Sequence, residues 1–196
     1  MVNLSKGQSV SLEKSSGGSL TRVVMGLGWD VVKKKGGFLG GLFGGGGSEG
    51  VDLDASCLMF DERKDLVDTI WFQQLQSRDG SVVHTGDNRT GAGDGDDEQI
   101  KVDLSRVPGS VKTLVFVVNS FTGETFDKIE NATCRVVDEG TGQEVARYDL
   151  SGQGQHTAQV MAKVTRQDKT WQMTAIGEIA SGRTFHDLMP AIRRSL

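Results

Sequence analysis

From residue 8 to residue 178 the chain is a succession of short apolar or alternating runs broken by brief polar turns, a rhythm that suits strands and not helices. Residues 8–12 (Gln-Ser-Val-Ser-Leu) and 99–104 (Gln-Ile-Lys-Val-Asp-Leu) set an apolar side chain at every second position, so each buries one face and wets the other. Residues 112–118 (Lys-Thr-Leu-Val-Phe-Val-Val) are apolar almost throughout, which predicts a central strand covered on both sides. Further strands are expected at 20–29, 51–60, 66–75 and 81–84. Residues 131–138 and 144–150 are expected to form one hairpin, and 157–165 and 170–178 another. Residues 121–130 read as a loop with one helical turn. Only the end is helical in pattern, with Phe185, Leu188, Met189 and Ile192 at helical spacing and Pro190 weakening the middle. With 27 glycines and two prolines to serve the turns, the expected fold is all-β. A two-sheet β-sandwich of about ten strands with a short C-terminal helix, one domain over residues 1–196, meets these demands.

The same sequence narrows the functional classes. No stretch approaches the roughly 20 apolar residues of a membrane span, and the start, Met-Val-Asn-Leu-Ser-Lys-Gly, has no apolar signal core, so a cytoplasmic location is expected. Cys57 and Cys134 each sit in an apolar run, where buried free thiols are expected and a reactive thiolate is disfavoured. A net charge of −4 gives no support for nucleic-acid binding. His84, His156 and His186 are scattered, and no serine near them stands in a nucleophile turn, so catalysis has little to stand on. Residues 33–50 are too glycine-rich for a helix or strand interior and predict a flexible loop. Within it, Lys33, Lys34 and Lys35 precede Phe38, Leu39, Leu42 and Phe43, a pairing of cations and apolar groups that suits an anionic membrane surface or a partner's groove.

The chemistry concentrates in residues 86–98, Gly-Asp-Asn-Arg-Thr-Gly-Ala-Gly-Asp-Gly-Asp-Asp-Glu. Five carboxylates and one arginine give this loop a charge of −4, equal to that of the whole chain, so the remainder sums to zero. Carboxylates packed so closely repel one another and need water around each or a bound cation. Calcium takes six to eight oxygen ligands from carboxylates, amides, carbonyls and water, and Asp87, Asn88, Asp94, Asp96, Asp97 and Glu98 offer such oxygens between glycines that let the backbone curl. Zinc or copper would want more than His84 nearby. The spacing fails the helix-loop-helix calcium hand, since Arg89, Gly91 and Ala92 occupy its third, fifth and sixth positions. A strand-to-strand calcium loop with room for two ions is therefore expected, the alternative being a solvated acidic hairpin. Asp30, Asp52 and Asp54, at strand ends, are candidate ligands from neighbouring loops.

The motif at 86–98 closely resembles the signature of the TerD domain of bacterial tellurium-resistance and stress-response proteins. Gly-Leu-Gly-Trp-Asp at 26–30, Asp-Leu-Asp-Ala-Ser at 52–56, Val-Val-Asn-Ser-Phe at 117–121 and Glu-Asn-Ala at 130–132 extend the resemblance over essentially the full length. The stretches at 38–45, 134–138 and 182–184 lean towards the TerZ branch. Resemblance implies a non-enzymatic, two-sheet sandwich binding calcium, two ions in number, through the acidic loop and neighbouring aspartates. It further implies partners among other tellurium-resistance proteins and assemblies at the inner face of the cytoplasmic membrane. A metal-dependent enzyme of the same stress pathway is the alternative. Arg89 departs from the family, which commonly carries an apolar residue there, and is placed to pair with a carboxylate of the loop.

Overall fold

A computed structural model describes residues 1–14, 17–31, 52–86, 95–150, 154–168 and 170–196. The glycine-rich stretch at 33–50 and the candidate ligands Asp87, Asn88 and Asp94 lie outside the described residues. Twelve strands and one helix follow in the order β1 (Val2–Asn3), β2 (Ser9–Ser11), β3 (Arg22–Val31), β4 (Leu53–Asp61), β5 (Leu66–Ile70), β6 (Val82–His84), β7 (Glu98–Asp103), β8 (Val111–Ser120), β9 (Ile129–Asp138), β10 (Glu144–Asp149), β11 (Ala158–Arg166), β12 (Trp171–Ala180) and α1 (Phe185–Ser195).

They form the expected two-sheet sandwich. One sheet has the order β1-β10-β9-β3-β7-β6 and the other β2-β12-β11-β8-β4-β5. Alternation explains how they pack. Met25, Leu27 and Trp29 of β3, Leu53, Ala55, Cys57 and Met59 of β4, and Leu114, Phe116 and Val118 of β8 point into the space between the sheets, where they form the main core. The intervening residues of the second sheet, Leu58, Phe60, Val115 and Val117, point the other way and meet Phe185, Leu188, Ala191 and Ile192 of α1. β8 is therefore covered on both sides, as its unbroken apolar run requires.

Two local readings are corrected, and the C-terminal helix forms as expected. The run at 66–75 is a strand only to Ile70, because the buried carboxylate of Asp68 gathers the amides of Thr69 and Arg78 and the side-chain amide of Gln74, folding the chain back on itself. Pro190 does not stop α1, since it lies on the exposed side and the apolar face carries the helix past it. Val2–Asn3, for which no strand was expected, pairs in parallel with β10. The hairpins β9–β10 and β11–β12 form as read, and β4 and β5 pair as another. The single helical turn expected in 121–130 is a 3-10 turn at Phe126–Lys128.

Candidate functional site

One end of the sandwich gathers the C-terminal limb of the acidic segment, the last residues of β3, the first of β4 and the first of β9. Residues 95–96 cross the outer face of the first sheet above β3, which is possible only because β3 presents glycine there. A Cβ on Gly26 would run into the Asp96 carboxylate, and one on Gly28 would come within 2.9 Å of the Gly95 carbonyl oxygen. The amide of Asp97 then donates to the Leu27 carbonyl at 2.8 Å, and β7 begins.

The three consecutive acids at 96–98 part company here. Asp96 turns to the outer face, where Arg135 Nε donates to Oδ1 at 2.7 Å and Gln99 Nε2 to Oδ2 at 3.2 Å. Arg135 also reaches Glu144 at 3.3 Å, and Glu144 in turn holds Arg147. These contacts keep the Glu144 carboxyl below the usual glutamate range, Arg147 chiefly and Arg135 next, against the opposing cost of burial.

Asp97 turns towards the end of β3, where Oδ2 accepts the Trp29 amide at 2.9 Å. It lines a groove of about 210 Å³ with Gly28, Trp29, Asp30, Gly95, Asn131 and Thr133. Asn131 occupies a left-handed backbone conformation (φ 52°), which asparagine tolerates better than most residues, and its Nδ2 donates to Asp30 Oδ2 at 2.8 Å. Burial pushes the Asp97 carboxyl above its ordinary range, and the charges of Asp30 and Asp96 add to that push against the Trp29 hydrogen bond.

Glu98 turns inward and is 1 % exposed. Its Oε2 accepts the Ala55 amide at 2.6 Å and lies 3.5 Å from His84 Nε2. Ala55 follows Asp54 in β4, and the alternation of the strand turns the Asp54 carboxylate to the opposite face of the sheet. Asp54 is buried on the helix-facing side of its sheet, with Asn119 Nδ2 at 3.4 Å from its Oδ2. Asp52 stands at the entry of β4, its carbonyl accepting the amide of Phe121 at 3.2 Å.

Of the expected ligands, then, Asp30 and Asp97 share a groove, Glu98 holds the Ala55 amide between the sheets, Asp54 faces the helix side beside Asn119, and Asp96 belongs to an arginine. Among the described residues, no three His, Cys, Asp or Glu side chains stand close enough together to enclose an ion. The donors around the groove are nevertheless all oxygens of the type a hard cation takes: carboxylates of Asp30 and Asp97, the Asn131 amide, the Thr133 hydroxyl and the Gly95 carbonyl. That donor set fits calcium and does not fit zinc. Asn131 and Thr133 were not among the expected ligands. Their signal was the alternation of β9, which sets 131 and 133 on one face opposite the end of β3.

Both cysteines are free and buried. Burial pushes the Cys57 thiol far up and that of Cys134 up to about 12, so neither offers a thiolate at neutral pH. His84 and His156 are buried, and His186 is exposed. Among the described residues, no helix is long and apolar enough to cross a membrane.

A two-sheet sandwich with a carboxylate-rich strand-to-strand loop at one end defines the class. The sequence profile of the TerD domain matches residues 1–189, and the chain belongs to that family. It is 54 % identical over 188 residues to the tellurium resistance protein TerZ of Serratia marcescens, covering 96 % of this chain and 95 % of that one. It is 42 % identical over 195 residues to the stress response protein SCP2 of Bacillus subtilis (strain 168), covering 96 % and 97 %. A solved structure of a homologue of telluride resistance protein (TerD) from Streptomyces coelicolor A3(2) superimposes with a TM-score of 0.64 over 85 % of this chain and 92 % of that one. At 21 % identity it speaks for the fold alone. These relatives are named for resistance or stress response, and none for a reaction.

Proposed function

We propose that this protein is a calcium-binding, non-enzymatic module of the bacterial tellurium-resistance and stress-response system. The observation that carries the reading is the groove between β3, β9 and the 95–97 limb. There Asp97 is held in a partly buried position with Asp30 and Asp96 acting on it, a repulsion that a divalent cation relieves. Asp30, Asp97, Asn131 and Thr133 are the groove's ligand candidates. Asp52, Asp54, Glu98 and the loop residues Asp87, Asn88 and Asp94 remain the candidates for the second ion expected from the sequence. Asp96 is withdrawn from the ligand set because Arg135 holds it.

The ion neutralises the loop and fixes the geometry of this end of the sandwich, and the ordered surface is what a partner reads. The partners proposed are other proteins of the tellurium-resistance family, with the inner face of the cytoplasmic membrane as the place of assembly. Calorimetric titration with calcium, repeated with magnesium, tests the reading. Saturable heat with calcium that is lost in an Asp30→Asn, Asp97→Asn double variant is the expected result. No heat with calcium at millimolar concentration would remove it.

A further inference from the structure

His84 lies at the join between β6 and the acidic segment, 3 % exposed, and its two ring nitrogens do different work. Nδ1 accepts the backbone amide of Gly86 at 3.1 Å, so this nitrogen carries a lone pair and not a hydrogen. In a neutral imidazole the hydrogen is then on Nε2, which faces the Ala55 carbonyl oxygen at 3.2 Å and Glu98 Oε2 at 3.5 Å. Glu98 Oε2 itself takes the Ala55 amide.

The topology explains why these groups meet. β5 ends at Ile70, which pairs with Cys57, and so stops short of Ala55. Beyond that point, among the described residues, no strand lies beside the outward-facing amide and carbonyl of Ala55, and a buried edge of this kind needs a partner. Glu98 takes the amide and His84 the carbonyl, as a short strand would. His84 pairs with Ile100 in the β6–β7 ladder, and Glu98 is two residues further along β7 on the same inward face, within diagonal reach.

We propose that His84 is the positioning residue of the acidic segment. Its Nδ1 accepts the amide of Gly86, the segment's first described residue, its Nε2 donates to the Ala55 carbonyl of the opposite sheet, and Glu98 Oε2, which takes the Ala55 amide, stands 3.5 Å from that nitrogen. One imidazole thereby ties the start of the segment to Ala55, whose amide holds the segment's last carboxylate. This rests on the calcium reading for its consequence and on the hydrogen bonds alone for its geometry.

The test separates the two. In metal-free protein, nitrogen-15 NMR of the imidazole reads the tautomer, and amide exchange reads the bonds. The hydrogen is expected on Nε2, with slow exchange at Gly86 and Ala55. His84→Leu is expected to speed exchange at both amides. His84→Gln, whose amide N–H stands where Nε2 stood, is expected to speed it at Gly86 and restore it at Ala55. In calcium titrations His84→Leu should weaken binding at least tenfold and His84→Gln by threefold or less. Met173→Ala, a cavity in the core on β12, should lower the thermal midpoint and leave the affinity alone. A hydrogen on Nδ1, or His84→Leu binding calcium as wild type does while only its midpoint falls, would overturn the proposal. If wild type binds no calcium, the calcium reading fails by itself, and the tautomer and exchange results still decide the role of His84.

Discussion

The outer face of the first sheet and the groove at its end both carry carboxylates from the same short limb, yet their electrostatics are opposite. On the outer face Asp96 and Glu144 alternate with Arg135 and Arg147, and the contacts hold the Glu144 carboxyl down and the Arg135 guanidinium up. In the groove burial holds the Asp97 carboxyl up, and the charges of Asp30 and Asp96 add to it. Clustered acids can be relieved by arginine or by a bound cation; Arg135 does the first for Asp96, and under the proposed function a cation does the second for Asp97, one residue on. The lesson is that acidity in a loop does not make every carboxylate a ligand. The partner on the adjacent strand decides.

Breaking the matched side is expected to cost most. Arg135→Ala leaves Asp96 and Glu144 without their shared cation in a partly buried place, and a loss of about 2–3 kcal/mol of unfolding free energy in denaturant titration is expected. Loss of under about 0.5 kcal/mol would mean that the ladder is only solvated surface charge.

Gly26→Ala pushes a methyl group into the Asp96 carboxylate and should cost about 1–2 kcal/mol while displacing the limb, visible as shifted amide resonances at 95–98. An unperturbed limb would contradict the close crossing.

Glu144→Gln sharpens the comparison through pH. The folded-state carboxyl lies below its unfolded value of 4.5, so its contribution is complete above that value and is lost as pH falls through the depressed folded one. Wild type should therefore lose more stability than the variant on acidification below pH 4.5. Parallel pH curves would refute the matched-ladder picture.

Asp97→Asn is expected to have the smallest effect in chelator. The amide oxygen still accepts from Trp29 and a repelled charge is gone, so the metal-free midpoint should stay or rise by the equivalent of about 0.5 kcal/mol, with the calcium-induced rise diminished. A marked fall in the metal-free protein would make Asp97 a structural carboxylate like Asp96.

Much of this architecture was legible in the sequence because strand periodicity is local. Residues 112–118 announced a doubly covered strand, and the β9–β10 and β11–β12 hairpins followed from their runs and turns. The terminal strand Val2–Asn3 was not legible, since two residues carry no period and it exists only by pairing with β10, over 140 residues away. Asp30, Asp54, Asp97 and Glu98 were readable as candidates from chemistry and strand-end placement. Their grouping was not, because whether a carboxylate meets Asp30, Ala55 or Arg135 depends on which strands lie side by side and with what register. His84 was passed over for the same reason. A lone histidine says little until the backbone of Gly86 and Ala55 is brought to its two nitrogens.

The claim on which the account depends is that the acidic end of the sandwich takes up calcium in the folded state. The thermal midpoint of the protein, measured in chelator, in calcium and in magnesium at the same ionic strength, tests it most directly. An ion that binds only the folded state adds about 2.7 kcal/mol at a hundredfold excess over its Kd, which for a chain of this length raises the midpoint by about 5–10 °C. The account predicts that rise in calcium and little of it in magnesium, and three coincident midpoints would contradict it.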